Sequence, residues 1–95
     1  MNVELSEEAA AQVETLDRWW REHRADSPDL FLDELAAAIS ALAEWPGRGT
    51  LYGPVPRVRR YLLRKTRYHV YFQAAGECVL IVAVWSALRG QGPRL

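Results

Sequence analysis

An uninterrupted apolar segment near the C-terminus restricts the folds open to this chain more than any other feature. Residues 78–85 read Cys-Val-Leu-Ile-Val-Ala-Val-Trp, apolar at every position. The segment is far shorter than the roughly 20 apolar residues that a transmembrane helix needs, and it reads as a strand. Because side chains alternate between the two faces of a strand, both faces of this one must be covered. We therefore predict an interior strand of a sheet.

Three other segments have the composition or the alternation of strands. Residues 57–64 and 67–74 contain the tyrosine, phenylalanine and valine residues that suit a pleated surface, and Lys65-Thr66 forms a turn between them. Ala75-Gly76-Glu77 joins the second of them to the apolar segment, so that three strands form a meander. A brief apolar and polar alternation near the N-terminus adds a short strand. We predict four strands, over residues 2–5, 57–64, 67–74 and 78–85.

An amphipathic helix is predicted over residues 7–24. Ser6 is its expected N-cap because a serine hydroxyl can accept a hydrogen bond from a free backbone amide at a helix start. Apolar residues at spacings of four, three and four form one face, namely Ala9, Val13, Leu16 and Trp20. Trp19 lies about 100° from Trp20 around the helix, and we expect both rings to fill the core.

A second amphipathic helix is predicted over residues 28–45. Ser27 is its expected cap, and Pro28 occupies the first helical position, where its missing amide hydrogen costs nothing. The same four-three-four spacing gives an apolar face of Phe31, Leu35, Ala38, Leu42 and Trp45. Pro46-Gly47 ends the helix, and the glycines and prolines that follow predict an irregular segment up to residue 56. The two helices form a helical hairpin.

These elements predict a single α+β domain over residues 1–95. The N-terminal helical hairpin packs on a small, mainly antiparallel four-stranded sheet. We expect the last residues, Gly90-Gln91-Gly92-Pro93, to be a frayed tail. No segment suits a membrane span, and the polar, acidic N-terminus does not resemble a signal peptide, so we expect a cytoplasmic protein with no membrane partner.

Charge is divided unequally between the two halves of the chain. Residues 1–46 carry eleven carboxylates and three arginines, a net charge of −8, whereas residues 47–95 carry nine basic side chains and one carboxylate, a net charge of +8. Two interpretations are open. The arginines either pair with the acidic helices across the fold, or they form a surface for an acidic or polyanionic partner.

Few residues indicate a cofactor or a catalytic centre. No Cys, His or carboxylate cluster has the spacing of a metal site, and no glycine-rich phosphate loop is present. Cys78 is the only cysteine, which excludes an internal disulfide, and we expect an inert buried thiol. His69 has an ordinary pKa near neutrality, but no acidic partner for it is visible in the sequence. We predict neither a metal nor a cofactor.

The order of these elements and several short motifs resemble the RelE/ParE superfamily of toxins from bacterial type II toxin–antitoxin systems. The resemblance spans almost the full chain. Its motifs are Ser6-Glu7-Glu8-Ala9, Trp45-Pro46-Gly47-Arg48-Gly49, Val58-Arg59-Arg60, Tyr68-His69-Val70-Tyr71-Phe72 and Arg89 after the last strand. The resemblance implies a bacterial toxin that is held inactive by a cognate antitoxin. We expect the antitoxin to bind through an acidic, amphipathic segment that orders on binding.

The superfamily contains two groups with different mechanisms. RelE-like members enter the ribosomal A site and cleave mRNA, whereas ParE-like members inhibit DNA gyrase and need no nuclease centre. Many RelE-like chains carry a tyrosine near the C-terminus, which is absent after Arg89 here. ParE-like chains often place a histidine shortly before that arginine, and this chain has none there. We predict a ParE-like toxin that binds and inhibits gyrase. The alternatives are a ribosome-dependent mRNA endonuclease and a non-toxic interaction module derived from the family, so whether the chain is an enzyme stays open.

The resemblance places the predicted interaction surface on the basic half of the chain. The residues expected to bind the target or the antitoxin are Arg57, Arg59, Arg60, Arg64, Arg67, Trp85 and Arg89. If the chain is an endonuclease, its catalytic set is Arg57, Arg59, Arg89 and His69. Arg59 and Arg60 are adjacent, so on a strand they face opposite sides, and at most one of them can join Arg57.

Overall fold

The computed structural model describes all 95 residues as two helices and one five-stranded sheet. The elements are β1 (Asn2–Leu5), α1 (Glu7–His23), α2 (Leu30–Glu44), β2 (Thr50–Leu51), β3 (Arg59–Leu63), β4 (Tyr68–Ala75) and β5 (Cys78–Ser86). The strand order is β1-β5-β4-β3-β2, with β1 parallel to β5 and all other neighbours antiparallel. The predicted α+β class, with a helical hairpin on a mainly antiparallel sheet, is confirmed. Neither helix has the length and apolar content needed to span a lipid bilayer.

The sheet has five strands where we predicted four. The additional strand, β2, lies in the segment predicted to be irregular and pairs with Arg59 and Arg60 of β3. Gly49 immediately precedes β2, with a positive φ of 84°, and a Cβ atom at this position would collide with the Arg60 carbonyl oxygen. Glycine therefore permits the close approach that brings the loop alongside β3. A strand of two residues has no periodicity by which the sequence could reveal it.

Two arginines with left-handed backbone conformations shorten the predicted strands. Arg57 has φ of 69° and Arg67 has φ of 67°, a conformation that L-residues adopt in turns and not in strands. As a result, β3 begins at Arg59 and not at residue 57, and β4 begins at Tyr68 and not at residue 67.

The two helices differ in how their first turns are capped. The Ser6 hydroxyl oxygen accepts a hydrogen bond from the Ala9 amide at 3.1 Å and so caps α1. Ser27 does not cap α2, which begins two residues later than predicted. Asp29 stands at the cap position of α2, but its carboxylate accepts a hydrogen bond from Arg21 at 2.8 Å and makes no capping bond.

The main core lies between the helical hairpin and one face of the sheet. It contains Ala9, Trp20, Phe31, Leu35, Ala38, Leu42, Leu63, Val70, Phe72, Val79, Ile81 and Val84. The predicted apolar face of α2 is buried except at Trp45, which follows the end of the helix and is 61% exposed. In α1, Trp20 is only 7% exposed, whereas Trp19 is 41% exposed. The prediction that both tryptophans fill the core is therefore wrong for Trp19.

A bulge in β5 divides its apolar side chains between two cores. The pairing with β4 passes from Ala83 to Ile81, so that Val82 is an extra residue. Ile81 and Val84 both belong to the helix-side core although they are three residues apart. Ala83 instead packs with Tyr71 on the face of the sheet turned away from the helices, which we call the second face. The second face therefore has a small apolar cluster of its own.

A single carboxylate fastens the turn between β3 and β4 to α2. Glu34 accepts hydrogen bonds from the Lys65 amide at 2.7 Å, the Thr66 amide at 3.0 Å and the Thr66 hydroxyl at 2.6 Å. Thr66 is the only buried polar residue, with 8% exposure. A charged acceptor of this kind strengthens each bond, and its loss would leave buried donors unsatisfied.

Replacing Glu34 should therefore destabilise the fold more than replacing other glutamates of the surface. We expect Glu34→Ala to lower the free energy of unfolding by about 2–3 kcal/mol, because the Thr66 donors lose their acceptor. Glu44→Ala, at the exposed end of the same helix, should change it by less than about 0.5 kcal/mol. Urea denaturation of the two variants measures the difference, and equal stabilities would contradict the structural role of Glu34.

Candidate functional site

The basic half of the chain makes no ion pairs. All three ion pairs of the structure lie within residues 14–29, where Arg18 and Arg21 contact carboxylates at 2.8–3.4 Å. None of the nine basic side chains of residues 47–95 has a carboxylate within 4.0 Å. The interpretation in which these arginines pair with the acidic helices is therefore wrong. Their charge is left free to attract a partner.

Three of these unpaired cations lie over aromatic rings. The Arg48 guanidinium is 5.5 Å from the centroid of the Trp45 ring. The Arg60 guanidinium is 5.5 Å from the centroid of the Tyr52 ring, and the Arg89 guanidinium is 5.0 Å from that of Trp85. Contacts of this kind contribute about 0.5–1 kcal/mol at exposed sites. They orient the guanidinium groups and leave their charge intact.

The fold brings three of the predicted binding residues to one end of the sheet. Arg64 follows β3 and Arg67 precedes β4, so both lie in the turn that joins these strands. The Arg67 carbonyl accepts a hydrogen bond from the Ala87 amide at 2.9 Å, which places the end of β5 beside this turn. Arg89 therefore lies at the same end as Arg64 and Arg67. Arg57 lies before the opposite end of β3. The five-residue strand, about 17 Å long, separates Arg57 from Arg64.

The two faces of the sheet separate the remaining predicted residues. Arg59 pairs with a helix-side core residue of β4 and lies on that face, whereas Arg60 pairs with Tyr71 and lies on the second face. His69 pairs with Trp85 across β4 and β5, and both also lie on the second face. The second face thus combines Arg60, His69 and Trp85.

The pKa of His69 is shifted by its surroundings on this face. Burial lowers the pKa of His69 below its ordinary value of 6.5, and the positive charge of Arg60 lowers it further. Its ring makes an edge contact with Tyr71, with 5.9 Å between the ring centroids. The imidazole is therefore neutral at pH 7 and able to accept a proton, but no carboxylate orients it.

The candidate endonuclease residues do not form one site. Arg57 lies before β3, and Arg59 lies on the helix side of the sheet. His69 and Arg89 lie towards the opposite end, near the second face. Cleavage by a 2′-hydroxyl requires the proton acceptor and the cations around a single phosphate. The observed placement does not assemble such a centre from these four residues.

The C-terminal segment covers part of the second face, so the prediction of a frayed tail is wrong. The Trp85 indole donates a hydrogen bond to the Gln91 carbonyl at 3.0 Å, and Pro93 is buried. Gly92 lies so close to the Tyr52 hydroxyl that a side chain at this position would collide with it. Neither Tyr52 nor the tail belongs to a periodic segment, which is why the sequence did not identify them as parts of this face.

A groove of about 550 Å³ runs between α1 and the end of β5. Its walls include Leu16 and Trp19 of α1 and Tyr68, Trp85 and Arg89 of the sheet region, and we call it the α1–β5 groove. The exposed ring of Trp19 forms one wall. The sequence signal for it was the pair of consecutive tryptophans, which lie about 100° apart around the helix.

Cys78 is half-buried and unreactive. Its thiol donates a hydrogen bond to the Glu4 carboxylate at 3.1 Å, and this bond, together with burial, raises the pKa of the thiol. A protonated thiol is a poor nucleophile and a poor metal ligand. No three Cys, His, Asp or Glu side chains are grouped so as to hold a metal ion.

Comparison with solved structures finds nine chains with significant similarity. One of them is described as the chromosomal ParDE TA system from P. aeruginosa; its TM-score is 0.72 at 18% sequence identity, over 90% of this chain and 95% of that chain. At this level of identity the similarity shows the shared fold. A comparison with curated protein sequences finds no match.

The sequence of the chain also matches a protein family directly. The model of the ParE toxin of type II toxin–antitoxin systems, parDE, matches residues 3–90, from the first strand to beyond the end of the last. Because this match covers nearly the whole domain and agrees with the fold similarity, the chain belongs to the ParE toxin family of type II toxin–antitoxin systems.

Proposed function

We propose that this chain arrests bacterial growth by binding and inhibiting DNA gyrase in the cytoplasm, and that a cognate antitoxin neutralises it. The observation that carries the proposal is the separation of the candidate nuclease residues in a chain of the ParE family. Inhibition by binding requires a surface and no reacting centre. The cluster of Arg64, Arg67 and Arg89, which has no carboxylate partners, supplies such a surface.

The charge distribution supports neutralisation by an acidic antitoxin. The basic half has no internal ion pairs, so an acidic segment can pair with it without first displacing carboxylates of the same chain. Exposed charges of this kind increase the association rate more than the affinity. Apolar contacts must supply most of the affinity, and the α1–β5 groove offers them.

Ribosome-dependent mRNA cleavage is the second candidate function. One observation favours it: His69 is neutral at pH 7 and lies near Arg60, so that it could take a proton beside a bound phosphate. Against it, the His69 ring has no orienting carboxylate. Experiments can separate the two functions, because one inhibits supercoiling of DNA by gyrase and the other cuts mRNA.

Production of the chain alone should arrest bacterial growth, and co-production of the protein encoded in the adjacent reading frame should restore it. The purified chain should inhibit supercoiling of DNA by gyrase, and mRNA on translating ribosomes should show no new cuts. Unchanged growth with verified expression would favour the non-toxic interaction module.

Arg89→Ala should weaken gyrase inhibition about tenfold, the effect of losing one charge-assisted contact of roughly 1.4 kcal/mol. Arg18→Ala is the matched control, because Arg18 is also an exposed arginine but is already paired with Glu14. Equal inhibition by the two variants would show that the cluster around Arg89 does not contact gyrase.

Replacing His69 separates the two candidate functions. His69→Gln should leave growth arrest and gyrase inhibition within about twofold of the unmodified chain, because binding to gyrase needs no proton acceptor. Mapping of mRNA ends in arrested cells is the decisive measurement. Codon-phased cleavage that disappears in the variant would establish the endonuclease function instead.

The stability of the fold should fall below about pH 6.5. The pKa of His69 is lower in the folded chain than in the unfolded chain, so on acidification the unfolded state binds a proton first. The stability that the neutral imidazole provides is therefore fully present above the unfolded pKa and is lost as the pH falls towards the folded one. NMR titration should give a midpoint below 6.5 for His69, and His69→Gln should reduce the loss of stability between pH 7 and 5. An identical pH dependence in the variant would contradict this assignment.

A further inference from the structure

A small pocket lies on the second face of the sheet, beside β3. Its walls include Gly49, Arg60, Leu62, Arg64 and His69, and we call it the β3 pocket. Arg60 and Leu62 are alternate residues of the strand, so their side chains share one face. His69 of β4 pairs with Leu62 and lies on the same face. The pocket has a volume of about 280 Å³.

The edge of β3 beside this pocket has no neighbouring strand. β2 pairs with β3 only as far as Arg60, whereas β3 continues beyond it. Bonds towards the β2 side fall at alternate residues, since the Val58 carbonyl accepts a hydrogen bond from the Tyr52 amide at 2.8 Å. The Leu62 amide therefore points away from β4. No strand or loop bond reaches it there, so it is a free donor at the pocket.

Two unpaired guanidinium groups face the β3 pocket. Arg60 and Arg64 both line it, and neither has a carboxylate within 4.0 Å. Burial lowers the pKa of His69, and the charge of Arg60 lowers it further, so this charge acts on the pocket wall. The neutral imidazole keeps one ring N–H as a donor. Several donors and an unopposed positive charge make the pocket a site for an anion.

The size of the pocket and the charges around it indicate which anion it takes. A volume of about 280 Å³ is below the roughly 300–1,000 Å³ of pockets that enclose a whole small molecule, so one phosphate group fits and the rest of the ligand stays outside. Arg60 and Arg64 are four residues apart, about 13 Å along the strand. Arg67 and Arg89 continue the row of cations at the end of the sheet. Such a row matches a polymer of regularly spaced phosphates, which is a nucleic acid backbone.

The aromatic rings beside this row are not free to stack with bases. The Arg60 guanidinium lies over Tyr52, the Arg89 guanidinium lies over Trp85, and Tyr71 is only 1% exposed. Proteins bind single strands largely by stacking the bases on open aromatic rings. A duplex presents its phosphates without requiring such rings. The second face therefore favours a duplex over a single strand.

We propose that the β3 pocket binds a backbone phosphate of the duplex DNA on which gyrase acts, so that the toxin contacts the enzyme and its DNA together. The phosphate oxygens accept hydrogen bonds from the Leu62 amide and from the guanidinium groups of Arg60 and Arg64. DNA has no 2′-hydroxyl, so His69 donates a hydrogen bond and removes no proton. This inference rests on the proposed function, because gyrase determines which polyanion the chain meets.

NMR of the full chain with a short DNA duplex of mixed sequence tests the site directly. We expect the Leu62 amide proton to move downfield and to exchange about tenfold more slowly, and the ring resonances of His69 to shift. Gly76, in the turn between β4 and β5, is the internal control and should not change. Poly-L-glutamate is the control anion, and it should produce neither change at Leu62.

Arginine variants test the charges of the pocket. Arg60→Ala and Arg64→Ala should each weaken duplex binding about three- to tenfold. Each should also reduce the slope of log affinity against log salt by about 0.9, the effect of losing one phosphate contact. Arg94→Ala is the matched control, because Arg94 is an exposed, unpaired arginine of the same half that lies beside Ser6, away from the β3 pocket. Its slope should not change.

Gyrase assays connect the site to the proposed function. Arg60→Ala should inhibit supercoiling about threefold less than the unmodified chain, whereas its affinity for gyrase without DNA should stay within twofold. Thermal unfolding of the variant checks that the fold is intact. An equal loss of affinity for DNA-free gyrase would mean that Arg60 contacts the enzyme, which overturns the assignment to DNA.

The possible outcomes separate this inference from the proposed function. Inhibition of gyrase without any change at Leu62 or His69 in the presence of duplex overturns the phosphate site and leaves the proposed function standing. Equal changes with poly-L-glutamate assign the pocket to an acidic protein, and tighter binding of single-stranded RNA assigns it to RNA; both overturn the inference. If the duplex produces the expected changes but the chain does not inhibit gyrase, the proposed function fails and the assignment to the DNA of gyrase fails with it.

Discussion

The two-sided burial of β5 is the constraint on which the rest of the structure depends. A strand that is apolar at every position exposes a large apolar area unless both of its faces are covered. The helical hairpin covers one face, where Val79, Ile81 and Val84 join the main core. On the second face, Ala83 of β5 packs with Tyr71 of β4 and with Val58 of the loop before β3. The C-terminal segment lies over the same face. The bulge at position 82 distributes the side chains between these two covers.

This arrangement has consequences for the function of the second face. The small apolar cluster and the C-terminal segment occupy space on that face, and the Trp85 indole is fixed by its hydrogen bond to the Gln91 carbonyl. The basic residues are left at the margins, in turns and at strand ends. Charged groups placed in this way suit contact with a large partner surface better than they suit chemistry at a single buried phosphate.

The separation of charge has a similar physical basis. The three ion pairs of the acidic half are local contacts on α1 and the turn that follows it, and exposed pairs of this kind contribute little to stability. The apolar cores hold the two halves together without ion pairs between helix and sheet. The sheet can therefore keep its positive charge unpaired at little cost to the fold, and the same charge remains available for recognition.

The sequence by itself determined the features that depend on neighbouring residues. The spacing of apolar residues determined the two helices, the Ser6 hydroxyl determined the start of α1, the apolar run determined an interior strand, and the short motifs identified the family. Tertiary structure alone decided β2, the bulge and the ordered tail, because these depend on contacts between distant residues, such as Gly92 against Tyr52. Alternation predicted that Arg59 and Arg60 face opposite sides of the sheet. Only the register with β4 decided which of them faces the helices, because a shift of one residue in strand pairing exchanges the two faces.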